Sequence, residues 1–332
     1  MTLDDADRKI LDGVQRGFPL ESRPFAALAE RIGSTEGEVL DRIRRLTGDG
    51  IIREVGPVFD LKRLGHTSTL CAAQAAPDCV ENVAGFINAF PEVTHNYLRD
   101  HAFNIWFTLI ASSPERIDAI LERIRIVPGV LNVMSLPAQR TFKIEVFFRT
   151  SKDGSGSPGS DDEAREHRPS EEPAAERLTS EDKRLVRVLS EAVPLTERPF
   201  AEIARQAGVS EEAAIERVRA WISSGVIRRF GARVDHRAVG YGANGMSVWK
   251  VPADRTETAG RVMARQPEVS HCYLRAPRPG WKYNLYAMIH GQTEDEVRAV
   301  AERMAEETGL RNYAVLFSSR EFKKSAPRYF CE

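Results

Sequence analysis

Two kinds of hydrophobic spacing follow one another along the chain. Up to about residue 60, apolar residues recur three or four positions apart, as at Val39, Ile43 and Leu46, which is typical of short helices with one buried face. From there to about residue 150, stretches with alternating faces, such as TSTLCAAQA and VTHNYLR, are separated by two helical stretches. The pattern predicts a helix-turn-helix with a two-stranded wing, followed by the order βαββαβ of a ferredoxin-like sandwich.

The whole succession occurs twice. RPFAALAERIG at residue 23 is matched by RPFAEIARQAG at residue 198, and RTFK at residue 140 is matched by REFK at residue 320. A repeat of this length indicates duplication and fusion of one subunit. The predicted fold class is therefore α+β, with two tandem copies of a winged helix-turn-helix plus a ferredoxin-like domain forming a pseudo-symmetric dimer in one chain.

The repeat and a change in composition divide the chain into five predicted segments. Residues 151–177 are rich in Gly, Ser, Pro and charged residues, so burial cannot offset the entropy of ordering them, and we expect a flexible linker. The other segments are the two winged helix-turn-helix domains, 1–62 and 178–237, and the two ferredoxin-like domains, 63–150 and 238–332.

Composition narrows the cellular setting. The 47 basic and 48 acidic side chains nearly balance, so no overall positive field attracts nucleic acid. Four irregularly spaced cysteines do not form a disulfide framework or a metal-binding motif, which favours a reducing compartment. The acidic N-terminus lacks a signal sequence, and no apolar run is long enough to cross a membrane. We therefore expect a cytoplasmic protein without a membrane partner.

The domain combination resembles the Lrp/AsnC transcription regulators, but the recognition helices are acidic at their start. Glu36 and Glu38 in the first copy, and Glu211 and Glu212 in the second, lie where a DNA-binding helix approaches phosphates. The expectation is a retained dimerisation module that does not bind DNA, with a DNA-binding regulator as the alternative.

A polar motif occurs in both ferredoxin-like domains. His-x-Tyr-x-Arg stands at His271 to Arg275 and at His95 to Arg99, and alternation along a strand places its three side chains on one face, together with Val269 or Val93. One such histidine alone is more often a satisfied structural residue than a ligand-binding one. The repetition of the motif, with an Asn in the adjoining strand and Arg-x-Phe-Lys in the last, favours a basic pocket with aromatic walls.

These motifs are similar to those of the siroheme decarboxylases, which are Lrp/AsnC-like proteins. The similarity lies in VSHCYLRAPRPGWKYNLYAMIHG, HNYLRDHAFNIWFTL and FSSREFKKSAPRYF, and the duplicated chain resembles the fused form of a family that usually has two related subunits. The resemblance implies removal of carbon dioxide from the acetate groups on carbons 12 and 18 of siroheme. The product is 12,18-didecarboxysiroheme, a precursor of heme d1 or, in an alternative pathway, of protoheme.

The chemistry of this reaction assigns roles to the motif residues. A proton must reach the carbon that loses carbon dioxide, and His271 or His95, with Tyr273 or Tyr97 orienting it or relaying the proton, is the best-matched donor. Fixed cations suit the substrate's carboxylates, and aromatic rings can cover its macrocycle. The predicted substrate-binding residues are Arg275, Arg278, Trp281, Tyr283, Asn284, Arg320, Lys323 and Lys324 in the C-terminal half, and Arg99, His101, Asn104, Trp106, Arg140 and Lys143 in the N-terminal half.

Several alternatives remain open from the sequence. His271 or His95 could instead be an axial ligand of the siroheme iron. The conjugated substrate supplies its own electron sink, so no added cofactor is expected, and the iron enters with the substrate. The expected partners are siroheme, didecarboxysiroheme, other copies of the chain and related subunits. A tetrapyrrole carrier or sensor would share the pocket without the chemistry. The halves differ in their hairpins, and the C-terminal half is expected to supply most substrate contacts.

Overall fold

The computed structural model describes residues 3–144, 176–234 and 242–330, so nearly all of the predicted linker lies outside the described residues. The described residues fall into two compact units. The first contains those of 1–65, 147–239 and 328–332, and the second those of 66–146 and 240–327. The helix-turn-helix segments of both repeats thus share one unit, and both ferredoxin-like segments share the other.

The predicted elements are present in both repeats. In the first they are α1 (Asp5–Arg16), α2 (Pro24–Ile32), α3 (Glu36–Gly48), β1 (Ile52–Phe59), β2 (Thr67–Ala75), α4 (Val80–Asn88), β3 (Val93–Arg99), β4 (Ile105–Ala111), α5 (Pro114–Arg125) and β5 (Val130–Ile144). In the second they are α6 (Ser180–Leu189), α7 (Pro199–Ala207), α8 (Glu211–Ser224), β6 (Ile227–Val234), β7 (Ala243–Trp249), α9 (Thr256–Arg265), β8 (Val269–Arg275), β9 (Leu285–Gly291), α10 (Glu294–Thr308) and β10 (Tyr313–Lys324).

Local sequence signals explain where the helices of the first unit begin and end. Asp4 caps α1, and its partner in the capping box is Asp7. Pro24 occupies the first turn of α2, whereas Gly33 ends that helix with a φ of 73°, which favours glycine. The second copy repeats these signals, so both copies fold by the same local rules.

The wing differs from the prediction. Each repeat supplies one strand after its helix-turn-helix, and β1 pairs antiparallel with β6 of the other repeat, with Gly56 opposite Gly231. Gly231 is required there because a Cβ atom would lie 2.5 Å from the carbonyl oxygen of Val14 on α1. The predicted wing within each copy is therefore wrong, and one two-stranded sheet is shared by both copies.

An arginine on each recognition helix forms ion pairs with carboxylates at the start of the first helix of its repeat. Arg42 on α3 contacts Asp4 and Asp7 at 2.7 Å and 2.9 Å, and Arg217 on α8 contacts Asp182 at 2.6 Å. These carboxylates offset the charge that a DNA-binding helix would offer to phosphates.

The second unit is a closed barrel of eight strands in the order β10-β3-β4-β2-β5-β8-β9-β7. Within each repeat the strands have the ferredoxin-like order, and the last strand of each repeat pairs with the second strand of the other. We call the β3–β10 and β5–β8 pairs the two seams. The fold class is confirmed, and closure of the two sheets into one barrel is an addition that the sequence pattern does not reveal.

Three apolar cores hold the second unit together. One lies under α4 and α5 and includes Phe107 and Ile120, and the equivalent core under α9 and α10 includes Trp249 and Met304. The third lines the inside of the barrel and draws on both repeats, with Trp106 among its buried residues. Each strand thus has one face toward helices and the other toward the barrel interior.

A β-bulge at each motif histidine interrupts the alternation of faces. The register shifts between Val93 and His95 on β3, and between Val269 and His271 on β8. Both valines pack in the helix-covered cores, so the prediction that they share a face with the histidines is wrong. The extra residue in each bulge turns the histidine toward the barrel interior.

Candidate active site

The His-x-Tyr-x-Arg side chains lie on the inner face of the barrel. Tyr97 is opposite Trp106 across β3 and β4, and Tyr273 is opposite Tyr286 across β8 and β9. Trp106 and Tyr286 both belong to the interior core, and residues directly opposite in an antiparallel pair share a face. The tyrosines of both motifs therefore point inward, as do the histidines two residues before them, whose ring centroids lie 6.3 Å and 6.1 Å from those of the tyrosines.

The two motif arginines are buried, and no carboxylate of the described residues pairs with either of them. Arg99 and Arg275 are 4% and 8% exposed, and each donates a hydrogen bond to a backbone carbonyl of the adjacent strand at its seam, Arg99 to Leu316 on β10 and Arg275 to Leu136 on β5. Their Nε atoms have no hydrogen-bond partner within the described part of the chain. Burial lowers the pKa of Arg99 to about 10 and also lowers that of Arg275. A buried positive charge without a partner is costly, so both positions favour an anion.

Each motif histidine is held through Nδ1 by the preceding residue. The Ser270 hydroxyl lies 2.8 Å from Nδ1 of His271, and that of Thr94 lies 2.9 Å from Nδ1 of His95. Ser270 also lies 2.7 Å from Nε2 of His290 on β9. Nδ1 is thus engaged, which makes Nε2 the ring nitrogen for chemistry in both motifs.

Burial is the main cause that lowers the pKa of His271 to about 4, and the charges of Arg275 and Lys143 lower it further. Without a ligand, this imidazole is therefore neutral near pH 7.

Each motif is completed by the other repeat through a seam. On β10, Glu321 lies opposite Tyr97 and Lys324 opposite His95. On β5, Thr141 lies opposite Tyr273 and Ile144 opposite His271. The seam neighbours are charged in the N-terminal half and uncharged in the C-terminal half, so the two inner surfaces differ.

Four of the predicted substrate-binding cations lie on the helix side of the seams. Arg140 forms an ion pair with Glu257 on α9 at 2.6 Å, and Arg320 one with Glu81 on α4 at 2.5 Å. Lys143 donates to the carbonyl of Gln266 at 3.1 Å, and Lys323 donates to the carbonyls of Asn88 and Phe90 at the end of α4. The structure does not bring them onto the face of the motif histidines, because the bulged seams turn them toward the helices, and their role in substrate binding stays a prediction.

The asparagine that occurs in both repeats has a structural position. Asn104 exchanges two hydrogen bonds of 2.9 Å with the backbone of Ala75 at the end of β2. Asn284 does the same with Val251, at 2.8 Å. Both amides therefore extend the sheet where the backbone pairing ends, and their position does not support substrate contact.

The predicted aromatic residues form one cluster across the two repeats. Trp281 packs against Trp106, Tyr283 and His101, with ring centroids 5.1 Å, 5.0 Å and 5.3 Å apart. Both tryptophans are buried, whereas Tyr283 and His101 are partly exposed. Tyr283 and His101 are therefore better placed than the tryptophans to contact a ligand.

Arg278 stands in the C-terminal hairpin, where its Nε donates to the carbonyl of Ser135 at 2.9 Å. Its side chain is exposed, and the carbonyl that it contacts is adjacent along β5 to that of Leu136, which accepts from Arg275.

Sequence reasoning missed the hydroxyls and the phenol next to the motifs. Ser270 and Thr94 precede the histidines in equivalent places, so the repeat alignment carries a signal for them. Tyr286 receives a 2.6 Å hydrogen bond from the Trp281 indole, and burial raises its pKa to about 12. Alternation along β9 already places Tyr286 on one face with Met288 and His290, and closure of the two sheets makes that face part of the barrel interior.

The comparisons with known proteins agree with the architecture. An AsnC-like ligand binding domain matches residues 63–143 and 238–323, and a siroheme decarboxylase NirDL-like HTH domain matches residues 7–53 and 182–228. A siroheme decarboxylase of Hydrogenobacter thermophilus is 40% identical over 327 residues, covering 98% of this chain and 95% of that protein. The chain belongs to the siroheme decarboxylase family.

Two further relatives of this family bear on the site and on the repeat. The crystal structure of the siroheme decarboxylase NirDL with an iron-uroporphyrin III analogue has a TM-score of 0.72 and 37% identity, covering 99% of this chain and 95% of that one. A siroheme decarboxylase alpha subunit of Desulfovibrio desulfuricans is 49% identical over 151 residues, covering 46% of this chain and 87% of that subunit. The family supports the enzyme hypothesis, and not that of a regulator or a carrier.

Among the described residues, no helix combines the length and the apolar character needed to cross a membrane.

Proposed function

We propose that this chain decarboxylates siroheme, removing carbon dioxide from the acetate groups on carbons 12 and 18 to give 12,18-didecarboxysiroheme. The observation that carries the proposal is the inner surface of the barrel, which twice combines an imidazole with a buried arginine that no carboxylate of the described part of the chain neutralises. Membership of the siroheme decarboxylase family agrees with it.

Arg99 and Arg275 attract the carboxylates of the substrate. Each guanidinium already donates one hydrogen bond to a carbonyl, and its remaining N–H groups can bind a carboxylate in a charge-assisted pair. A substrate carboxylate would also supply the counter-charge that the described residues do not give these arginines. Lys324, opposite His95, adds a cation in the N-terminal half.

The imidazole supplies the proton that replaces carbon dioxide. Cleavage of the carbon–carbon bond leaves an electron pair on the methylene carbon, which the conjugated macrocycle delocalises. A proton from Nε2 of His271 or His95 then forms the methyl group. Tyr273 or Tyr97, on the same face, helps to orient the substrate or the imidazole.

Substrate binding prepares His271 for this role. In the free protein its pKa is lowered to about 4, first by burial and then by Arg275 and Lys143. A bound carboxylate offsets those two charges and raises the pKa, so the imidazole takes up a proton together with its substrate. Neutral Nε2 could also bind the siroheme iron, and the same nitrogen cannot do both at once.

We infer that no resident cofactor is needed, because the substrate's own ring accepts the electron pair. The iron enters as part of the substrate. Purified protein stripped of metals with a chelator should therefore decarboxylate added siroheme at an undiminished rate.

We propose further that the enzyme works in the cytoplasm as an assembly of several fused chains, and that it can associate with related subunits. The described cysteines Cys71, Cys79 and Cys272 are free thiols, which agrees with a reducing compartment. Light scattering at several protein concentrations measures the assembly.

The test of function is anaerobic incubation of the purified chain with siroheme, followed by mass analysis of the extracted tetrapyrrole. Two successive losses, each of the mass of one carbon dioxide, are expected, and analysis of the product by NMR should show methyl groups at carbons 12 and 18. Bound but unchanged siroheme would contradict the proposal and indicate a carrier or sensor.

A further inference from the structure

Ser270 lies between two imidazoles. Its hydroxyl is 2.8 Å from Nδ1 of His271 and 2.7 Å from Nε2 of His290. A hydroxyl has one hydrogen, so it donates to only one of the two rings, and the other ring must donate to it. The direction of these two hydrogen bonds therefore determines which ring nitrogen of His271 carries a proton.

The bulge on β8 creates this arrangement. Val269 lies opposite Ile289 and His271 opposite Met288, so the extra residue Ser270 is turned toward the neighbouring position on β9, where His290 stands. Ser270 is 8% exposed, and the serine hydroxyl is held away from bulk solvent.

The N-terminal half has only part of this hydrogen-bonded series. Thr94 contacts Nδ1 of His95 at 2.9 Å, in the place of Ser270. The residue equivalent to His290 is Ile110, whose side chain neither donates nor accepts hydrogen bonds. The second imidazole is thus a difference between two otherwise parallel sites.

We propose that Ser270 and His290 are positioning residues that make His271 the more effective proton donor of the two motif histidines. This inference rests on the proposed decarboxylase function. His290 accepts the hydrogen of the Ser270 hydroxyl through Nε2, and the serine oxygen accepts Nδ1–H of His271. The neutral His271 ring then carries its proton on Nδ1 and presents an unprotonated Nε2 to the barrel interior.

This direction suits the reaction. Nε2 takes up a proton when the carboxylated substrate binds, and the resulting imidazolium is stabilised because Nδ1–H keeps its acceptor. Nε2–H then passes to the methylene carbon as carbon dioxide leaves, and the ring returns to the neutral form with Nδ1–H. One proton is consumed for each carbon dioxide released, and this proton neutralises the negative charge that the carboxylate leaves on the methylene carbon.

The kinetic test uses two matched pairs of variants. Ser270→Thr keeps the hydroxyl, as in the N-terminal half, whereas Ser270→Ala removes it. His290→Gln keeps a hydrogen-bond acceptor, whereas His290→Ile introduces the residue of the N-terminal half. We expect kcat for siroheme to fall about ten- to a hundredfold in Ser270→Ala and His290→Ile, with KM little changed, and to stay near the wild-type value in the two conservative variants.

The same variants distinguish positioning from a merely structural role. Thermal unfolding of all four shows whether any of them has lost its fold, and a structural role would change kcat and KM together with the unfolding temperature. The rates of the first and second losses of carbon dioxide, followed by mass in a single turnover, show whether only one step depends on the pair.

A second measurement does not need activity. Nitrogen-15 NMR of the histidine-labelled chain reports which ring nitrogen of His271 is protonated, and assignment follows from His271→Gln. The wild type should be protonated at Nδ1, and His290→Ile should lose this preference. Protonation at Nε2 alone in the wild type, or wild-type kcat in both Ser270→Ala and His290→Ile, would overturn the inference. If wild-type protein releases no carbon dioxide, the proposed function has failed, and the NMR result still decides the direction of the hydrogen bonds.

Discussion

Burial opposes the charge of two side chains only four positions apart on β8. The pKa of His271 is lowered to about 4, and that of Arg275 is also lowered. A core built for stability alone would contain apolar residues at both positions. The free protein thus bears an electrostatic cost that an anionic ligand relieves.

Replacing Arg275 by Met should separate binding from stability. We expect KM for siroheme to rise at least about tenfold, because a charge-assisted hydrogen bond is lost. The thermal unfolding temperature should stay unchanged or increase, since an uncompensated buried charge is removed. Arg140→Met is the matched control: Arg140 pairs with Glu257 on the helix side, so its removal should leave KM unchanged. A similar KM effect in both variants would contradict the assignment.

Replacing the motif histidines by Ala tests the proton donor. His271→Ala is expected to lower kcat by about a hundredfold or more, the usual contribution of a general acid, and His95→Ala should lower it less. The measurement is the rate of carbon dioxide loss under anaerobic conditions. His66→Ala, a histidine outside the motifs, serves as control. Full turnover in His271→Ala would exclude this residue as the donor.

The lowered pKa of His271 also predicts how stability varies with pH. An unfolded chain binds a proton at this residue below about pH 6.5, whereas the folded protein does so only near pH 4. The contribution of neutral His271 to stability is therefore present above about pH 6.5 and is lost as the pH falls toward 4. Unfolding temperatures at pH 7 and pH 5 should differ less in His271→Gln than in the wild type, and equal differences would contradict the buried neutral form.

At the scale of secondary-structure elements, the seams determine which residues lie beside each motif. Strand β10 places Glu321 and Lys324 beside β3, and β5 places Thr141 and Ile144 beside β8. The helices α4 and α9 secure these seams through the ion pairs and carbonyl contacts of the outward-turned cations. The chemistry of a motif is thus set by strands from both repeats.

Two glycines in different surroundings, one on the buried face of α9 and one on the exposed face of α4, test the packing of the seams. A Cβ atom at Gly260 on α9 would lie 2.4 Å from the Phe142 ring on β5, whereas Gly85 on α4 is exposed and has nothing within 4 Å. Gly260→Ala should therefore destabilise the protein by about 1–3 kcal/mol through overpacking. Gly85→Ala should be neutral or stabilise it by up to about 1 kcal/mol, because alanine favours a helix. Chemical denaturation measures both, and equal effects would contradict the close packing of Phe142.

The sequence predicts elements well where the signals are local. Strand β2 spans the predicted TSTLCAAQA, and β3 spans VTHNYLR, because alternation and flanking turns are visible in the chain itself. The shared sheet of β1 and β6 and the seams depend on strands far apart in sequence, for which alternation gives no partner. A bulge shifts the alternation of faces by a single residue and has no signal in the sequence, so the pattern does not reveal that Arg140 lies on the face opposite to His271 and Tyr273.

At the scale of the whole molecule, neither repeat has a complete second unit of its own. Without the other repeat, β3 and β5 of the first copy would both be exposed edge strands, as would β8 and β10 of the second. Half-length relatives of the family carry one copy per subunit.

A chain divided between residues 150 and 176 should therefore work only as a pair. We expect the two fragments to copurify when expressed together and to decarboxylate siroheme, whereas each alone should be inactive and should associate with itself or aggregate. Size-exclusion chromatography and the anaerobic assay measure both properties. Activity in a single fragment would show that the seams between repeats are dispensable.

The crossed pairing of last and second strands has a consequence for inheritance. A substitution on β10 changes the surroundings of His95, and one on β5 changes those of His271, although each strand belongs to the opposite copy. After duplication, substitutions on the last strand of either copy were therefore constrained by the motif of the other copy. Fusion into a single gene keeps such matched changes together in every descendant and supplies the two copies in equal number.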